Sequence, residues 1–200
     1  MFNLFFHDFA YHTKIDNHEQ IKQKIFNQKY LSVLQDTLEW ECKVKTSFKK
    51  TLIDDSIFSD IQLEIKKIVH EMLSKISPSS KISSIDFPKS NICMNLYNVG
   101  DYQDYHDHTN NKCNFSFCYF MNYNPEKDAK FVFFNEKFKM FRTQGLTDQL
   151  LFDLGIHDNI FPNVEEGHVI IFPSHYTHRT TIQQYDTNRC TVSGNFFVNV

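Results

Sequence analysis

Two clusters of side chains in this chain have the types and spacing to hold a metal ion. The first is Tyr105-His106-Asp107-His108, which follows a Gly100-Asp101 turn. In an extended strand, residues two apart project to the same face, so His106 and His108 can reach one ion while Asp107 points away. Asp107 becomes the alternative ligand only where a local bulge turns it inward. The second cluster, His175-Tyr176-Thr177-His178, follows the apolar run Val169-Ile170-Ile171-Phe172 and a break at Pro173-Ser174. A third imidazole arriving from a strand distant in sequence closes a three-point facial site and leaves positions open for small molecules. Neutral imidazole suits Fe, Zn, Cu and Ni alike, and a His-x-His pair by itself is equally an exposed polar strand end.

A candidate anion partner follows His178 in the sequence. Arg189 begins a run that puts Arg189, Thr191 and Ser193 on one face of a strand. A guanidinium pointing into a β-barrel is costly unless it meets an anion. An arginine at a strand start also snorkels to solvent, and the single residue leaves both readings open. Of the ten histidines, His7, His12, His18, His70, His157 and His168 lack ligand spacing and read as surface or capping residues.

The clusters belong to a longer pattern. The segment Tyr97-Asn98-Val99-Gly100-Asp101-Tyr102-Gln103-Asp104-Tyr105-His106-Asp107-His108, followed by Phe115-Ser116-Phe117-Cys118-Tyr119-Phe120-Met121-Asn122, resembles the Fe(II)/2-oxoglutarate-dependent oxygenases, especially their prolyl-hydroxylase-like branch. There a Tyr-x-x-Gly precedes a His-x-Asp pair and a strand ending in Tyr-Leu-Asn. The later run Glu166-Gly167-His168-Val169-Ile170-Ile171-Phe172-Pro173-Ser174, with His178 and Arg189 beyond it, is similar to the same family. The resemblance covers residues 90–200, and its spacing is specific as a set.

The resemblance implies a double-stranded β-helix, of the jelly-roll or cupin-like kind, with iron held by the first histidine, an acidic residue and the distal histidine. His106 and His178 carry over directly. Arg189 would bind the distal carboxylate of 2-oxoglutarate, with Thr191 or Tyr97 as hydroxyl partners and Tyr119 as a further residue on the co-substrate side. The family's acidic position is occupied by His108. A His-x-His form occurs in a looser branch, found among phage and marine bacterial sequences, which this chain resembles more closely. The implied ligands are therefore His106, His108 and His178. The implied reaction consumes dioxygen and 2-oxoglutarate, releases succinate and CO2, and hydroxylates a C–H bond of a protein side chain or a small molecule.

These residues need elements to hold them. Apolar residues from Ile21 through Ile25, Phe26, Tyr30, Leu34 and Leu38 recur at three or four and predict a helix, with Asp16 and Asn17 available as caps. Ile57, Ile61, Ile65, Ile68, Val69, Met72 and Ile76 predict a second, stopped by Ser77-Pro78, with Glu64, Lys66, Lys67 and Glu71 outside. Residues 77–81, including Ser80, read as a connector. Beyond residue 90 the period becomes two, which predicts strands near 91–98, 101–108, 113–121, 130–135, 168–172 and 189–199. The stretch from Asn135 to Gly167 is long for a connection and reads as an insertion with a short helix at 148–154, or as an active-site lid. The fold class is mainly β with flanking helices. The chain reads as a single domain, residues 1–85 giving helical support and residues 90–200 the β-helix core.

Composition narrows the remaining classes. Two hundred residues, 41% of them hydrophobic and including 21 phenylalanines and nine tyrosines, suffice for one aromatic-rich core. A net charge of -3 argues against a nucleic-acid partner. Five cysteines without CxxC spacing fit reduced thiols and a cytoplasmic protein. Met1-Phe2-Asn3-Leu4-Phe5-Phe6-His7-Asp8 has no basic leader and is broken by His7 and Asp8, so neither a signal peptide nor a membrane span is expected there. Lys127, Lys130, Lys137, Lys139 and Arg142 make the rim of the insertion basic, which would suit an acidic substrate or peptide but reads first as a solvated loop face. Two other functions remain open on the residues: a three-histidine, cupin-like dioxygenase that needs no 2-oxoglutarate, and a non-catalytic metal-binding β-barrel. Arg189 discriminates against the first, because that chemistry has no need of 2-oxoglutarate; the second would bind iron weakly and never form succinate.

Overall fold

The computed structural model describes residues 9–37, 42–48, 53–79, 81–110 and 112–199. The Met1–Asp8 stretch with His7, Leu38 of the first predicted helix and Ser80 of the connector lie outside the described residues. The chain enters through β1 (Tyr11–Lys14), and the helix expected over 21–38 is two shorter ones, α1 (His18–Ile25) and α2 (Gln28–Leu31). Between them Phe26 leaves helical geometry at φ -80°, ψ 74°, and Asn27 is extended at φ -144°, ψ 165°. The apolar spacing runs across the break because Ile21, Ile25, Phe26, Tyr30 and Leu34 all turn to one core. Asn17 occupies the cap position of α1, but its side-chain amide donates to Glu64 Oε1 at 3.1 Å and not to the helix.

Short strands β2 (Gln35–Asp36), β3 (Cys42–Lys43) and β4 (Lys45–Thr46) follow, and a 3-10 turn leads into α3 (Ser59–Ile76). As its periodicity requires, α3 buries Ile61, Ile65, Ile68, Val69 and Met72. It ends at Ser77, the residue before Pro78, where helical backbone is disfavoured. Glu64 is a correction to the sequence reading: it is buried, not outside. The Lys67 ammonium at 2.6 Å and the Asn17 amide satisfy its carboxylate there.

The remaining strands are β5 (Ser84–Asp86), β6 (Ile92–Tyr97), β7 (Tyr102–His106), β8 (Phe115–Asn122), β9 (Phe131–Phe134), β10 (Asn159–Ile160), β11 (His168–Pro173), β12 (His178–Thr180) and β13 (Arg189–Asn199). They form two antiparallel sheets, an eight-stranded one ordered β1-β11-β8-β13-β6-β4-β2 with β5 on β13, and a five-stranded one ordered β10-β9-β12-β7-β3. The consecutive pairs β6 and β7, β8 and β9, and β11 and β12 each cross from one sheet to the other, which is the winding of a double-stranded β-helix. Both sheets keep open edges, so the fold is not a closed barrel.

Strand alternation sorts the large sheet into two faces. Met94, Phe117, Tyr119, Val192 and Phe196 pack with the helices in the main core, while Phe120, Ile170 and Phe172 join Phe131 and Phe133 between the sheets. The insertion after β9 carries α4 (Glu136–Thr143), which the sequence did not signal, and α5 (Asp148–Asp153), which it did. It lies against the outer side of the smaller sheet, where Glu136 accepts from Thr177 Oγ1 and Asn159 from the Tyr105 hydroxyl. Among the described residues, no helix is long and apolar enough to cross a membrane.

Candidate active site

His106 closes β7 and His178 opens β12, and the antiparallel register sets them opposite one another. Their ring centroids are 4.4 Å apart. His108 lies beyond the end of β7, not inside a strand as alternation alone implied. Its backbone N–H donates to the Ser174 carbonyl at 2.8 Å, which turns the ring back to 5.2 Å from His106 and 5.1 Å from His178. One ring nitrogen from each of the three lies within 4.8 Å of the others.

Two backbone carbonyls set the tautomers. Nδ1 of His106 donates to the Asp104 carbonyl at 2.7 Å, and Nδ1 of His178 to that of Tyr176 at 2.8 Å. A carbonyl can only accept, so the proton sits on Nδ1 and the lone pair on Nε2, as in a metal-ligating imidazole. Burial pushes all three imidazoles below the ordinary histidine range, His108 to about 4 and His178 well down, with neighbouring imidazoles adding to the effect at both. Three uncharged donors thus converge at neutral pH, the state a divalent metal binds. Asp107 is exposed and accepts from the Thr109 N–H at 2.8 Å, an Asx turn facing solvent.

Arg189 is fully buried at the start of β13. Its Nε donates to the Ala129 carbonyl at 3.0 Å, and its guanidinium lies 4.1 Å from the centroid of the Tyr97 ring. Nη1 and Nη2 are buried with no hydrogen-bond partner among the described residues, as is Thr191 Oγ1 beside them on the same face. Orphaned donors on a buried cation cost several kcal/mol unless an anion completes them. The register places Arg189 opposite Tyr97 and Thr191 opposite Asn95, and a cavity of about 450 Å³ runs from the three histidines past Tyr97 and Thr191. The donor set fits both groups the sequence implied: neutral imidazoles for Fe(II), and a fork without an anion for a carboxylate.

A family model described as a 2OG-Fe(II) oxygenase, 2OG being 2-oxoglutarate, matches residues 91–195. The chain belongs to the 2OG-Fe(II) oxygenase family. It is an Fe(II)- and 2-oxoglutarate-dependent dioxygenase, whose co-reactants are dioxygen and a substrate. The fold is shared with solved structures at very low identity. A Pseudomonas putida prolyl-4-hydroxylase superimposes with a TM-score of 0.60 at 10% identity, covering 94% of this chain and 92% of that one. HygX from Streptomyces hygroscopicus, with nickel and 2-oxoglutarate bound, gives 0.61 at 9%, covering 94% and 82%. A Trichoplax adhaerens prolyl hydroxylase, in complex with a hypoxia inducible factor oxygen degradation domain peptide, gives 0.58 at 9%, covering 94% and 83%. No curated protein matches the sequence.

Within this oxygenase the structure brings His106, His108, His178, Tyr97 and Thr191 to one cavity, with Arg189 behind Tyr97 and Thr191. Tyr119 does not join them. It points to the helix side of the large sheet, its hydroxyl 2.7 Å from His18 Nδ1, so it is a core residue and not a co-substrate contact. His18, expected at the surface, is buried by the same contact. None of the residues 135–167 lines the cavity among those described, so the insertion is not a lid over it in this structure. Of its basic residues, Arg142 is paired with Asp148 at 2.9 Å. Residues the sequence reading missed are Gln103, whose Oε1 accepts from the Tyr97 hydroxyl at 2.7 Å, and the cavity-wall residues Thr46, Asn95 and Asn195. Asn95 and Asn195 share parity with Tyr97 and Arg189 along their strands and Thr46 pairs with Asn95, whereas no sequence signal marked Gln103.

Proposed function

We propose that His106, His108 and His178 hold the Fe(II), and that Arg189, with Tyr97 and Thr191, binds the distal carboxylate of 2-oxoglutarate. The reaction is hydroxylation of a protein side chain or small molecule, with release of succinate and CO2. The observation that carries this reading is a buried guanidinium without an anion behind a cavity in which three neutral imidazoles converge. A three-histidine dioxygenase without a co-substrate, or an inert barrel, would leave that guanidinium unexplained.

Bound iron and 2-oxoglutarate supply, with dioxygen, the oxidising equivalent that places an oxygen atom on the substrate. The chain does the positioning. The Asp104 and Tyr176 carbonyls fix the tautomers of His106 and His178. Phe131, Phe133 and Phe172 pack around His178, with centroids at 5.2, 6.3 and 4.9 Å, and exclude water from that side. Three imidazoles leave the metal's charge uncompensated by any protein carboxylate, which favours a dianionic co-substrate whose far end meets Arg189.

A protein side chain is supported by the peptide bound to the Trichoplax enzyme of the same fold. None of the five cysteines is joined in a disulfide, which supports a cytoplasmic location. The whole chain acts as one domain. The test is succinate formation followed by NMR: it is expected to require Fe(II), to vanish in His178→Ala, and to fall at least about 100-fold in kcat/KM for 2-oxoglutarate in Arg189→Ala. Undiminished turnover in Arg189→Ala would refute the co-substrate assignment.

A further inference from the structure

The cavity continues well beyond the reach of 2-oxoglutarate. Its wall on the large sheet is a ladder of inward-facing residues, Tyr97 beside Arg189, then Asn95 beside Thr191 and Thr46, then Cys93 beside Ser193 and Cys118. Asn91 and Asn195 close it, with Asn195 opposite Ser116. Successive same-face residues stand about 7 Å apart along a strand. Four carbon–carbon bonds of ~1.5 Å span at most about 6 Å, so a five-carbon diacid held at Arg189 reaches the second step and no further. The steps at Ser193 and Asn195 are open to something else.

That part of the wall is polar and uncharged. Thr46 donates to Asn95 Oδ1 at 2.6 Å, and Asn95 Nδ2 donates to Ser193 Oγ at 2.8 Å. Ser116 donates to Asn195 Oδ1 at 2.7 Å, and Asn195 Nδ2 donates to Asn91 Oδ1 at 3.0 Å. On the reverse face of the same strands sit Met94, Val192 and Phe196, so apolar residues are what these strands otherwise bury. Gly194 lets the strands approach closely there, since a Cβ would meet Ile92 and Phe117 at 2.9 Å. Among the described residues no lysine or arginine lines the cavity, and its one carboxylate, Asp107, is exposed at the mouth with Thr109 and Asn110. At the steps of Ser193 and Asn195 an ionised group would be desolvated with no charged side chain of the wall beside it.

The internal bonds also leave donors to spare. Ser193 accepts from Asn95 and has for its own hydroxyl proton only a long contact, 3.9 Å, to Cys93 Sγ, and Asn195 uses one of its two amide protons on Asn91. We infer that Ser193, Asn195 and Asn91 form the substrate-recognition wall of this enzyme, and that it takes an uncharged group bearing a hydrogen-bond acceptor, an amide or a hydroxyl. This rests on the proposed placement of metal and 2-oxoglutarate, because that placement leaves these steps vacant for substrate.

The test uses the full chain loaded with Zn(II) and 2-oxoglutarate, which cannot turn over, and reads binding by saturation-transfer NMR. The probes are N-acetyl amides of asparagine, glutamine, serine and threonine against those of aspartate, glutamate, lysine and arginine, with free propionamide and glycerol as a second arm. Binding of the uncharged members alone is expected. Preference for the capped amino acids would point to a peptide source, and preference for the free compounds to a small molecule. In Ser193→Ala and the isosteric Asn195→Asp, affinity for the neutral probes is expected to fall at least tenfold while the 2-oxoglutarate titration midpoint moves less than twofold. Thermal melts identify a variant that fails to fold, and two sites keep the comparison decisive. Equal or better binding of ionised probes, no binding by any member, or loss of 2-oxoglutarate affinity in place of probe affinity would each overturn the inference. Failure of Zn(II) or 2-oxoglutarate to bind the unsubstituted protein would instead overturn the placement on which it rests.

Discussion

At the scale of residues, His108 and Asp107 are neighbours with opposite fates. The Ser174 carbonyl draws His108 inward through its backbone, while Asp107 spends its carboxylate on the Thr109 N–H. His108→Ala is expected to weaken Co(II) binding by at least about 100-fold, and Asp107→Ala by less than twofold, in anaerobic calorimetry. The reverse order would mean that a bulge brings Asp107 to the metal. Arg189 makes a second expectation, because its orphaned donors are held at a cost that only a ligand offsets. Arg189→Met is expected to stabilise the metal-free protein by about 1 kcal/mol in urea unfolding while 2-oxoglutarate binding disappears. Destabilisation would mean that the Tyr97 ring and the Ala129 carbonyl already satisfy the cation. His106, His178 and Arg189 were legible because spacing along one strand and motif order carry them. Tyr119 was misplaced because the motif fixes its neighbours but not its face, and the partner that settles the face, His18, is far away in sequence.

Among the elements, α1 is tied to the β-structure by charges that no local pattern announces. Glu166 accepts from Lys22 at 2.7 Å and from the Tyr123 N–H at 3.1 Å, with His18 at 3.3 Å. Burial by itself raises its pKa, but these donors together outweigh burial and hold the carboxyl below the ordinary range. A depressed folded value means that the stabilisation is present above the ordinary carboxylate pKa and is lost as pH falls through the lowered one. Glu166→Gln is therefore expected to cost about 1 kcal/mol at pH 7, allowing for solvent screening, and to converge with the unsubstituted protein in acid. A constant difference across pH would show that the charge is not the cause. The long strands were readable from period two, but β12 is three residues, His178–Thr180, too few for a period to register. The first helix was overextended because both pieces face one core, so apolar spacing continued where the backbone did not.

Considered as a whole molecule, the matched family region begins at residue 91, yet the main core does not. Ile61, Ile65, Val69 and Met72 of α3 share it with Met94, Phe117 and Val192 of the large sheet. A fragment of residues 84–200 would expose that sheet face and is expected to lack a cooperative unfolding transition, whereas the full chain shows a single one by circular dichroism and tyrosine fluorescence. A cooperative fragment would make the helices an accessory and not a structural half. The winding of the fold was legible from the strand order and family pattern, and the placement of the insertion was not, since its length fits a lid and an outer brace alike. The most direct test of the assigned centre is an anaerobic titration with Fe(II) and then 2-oxoglutarate, following the weak visible charge-transfer band of keto-acid chelation in the unsubstituted protein, His108→Ala and Arg189→Ala. The expected result is a band that forms only with 2-oxoglutarate, is absent in His108→Ala and requires far more co-substrate in Arg189→Ala. An unaltered band in both variants would contradict the assignment of the site.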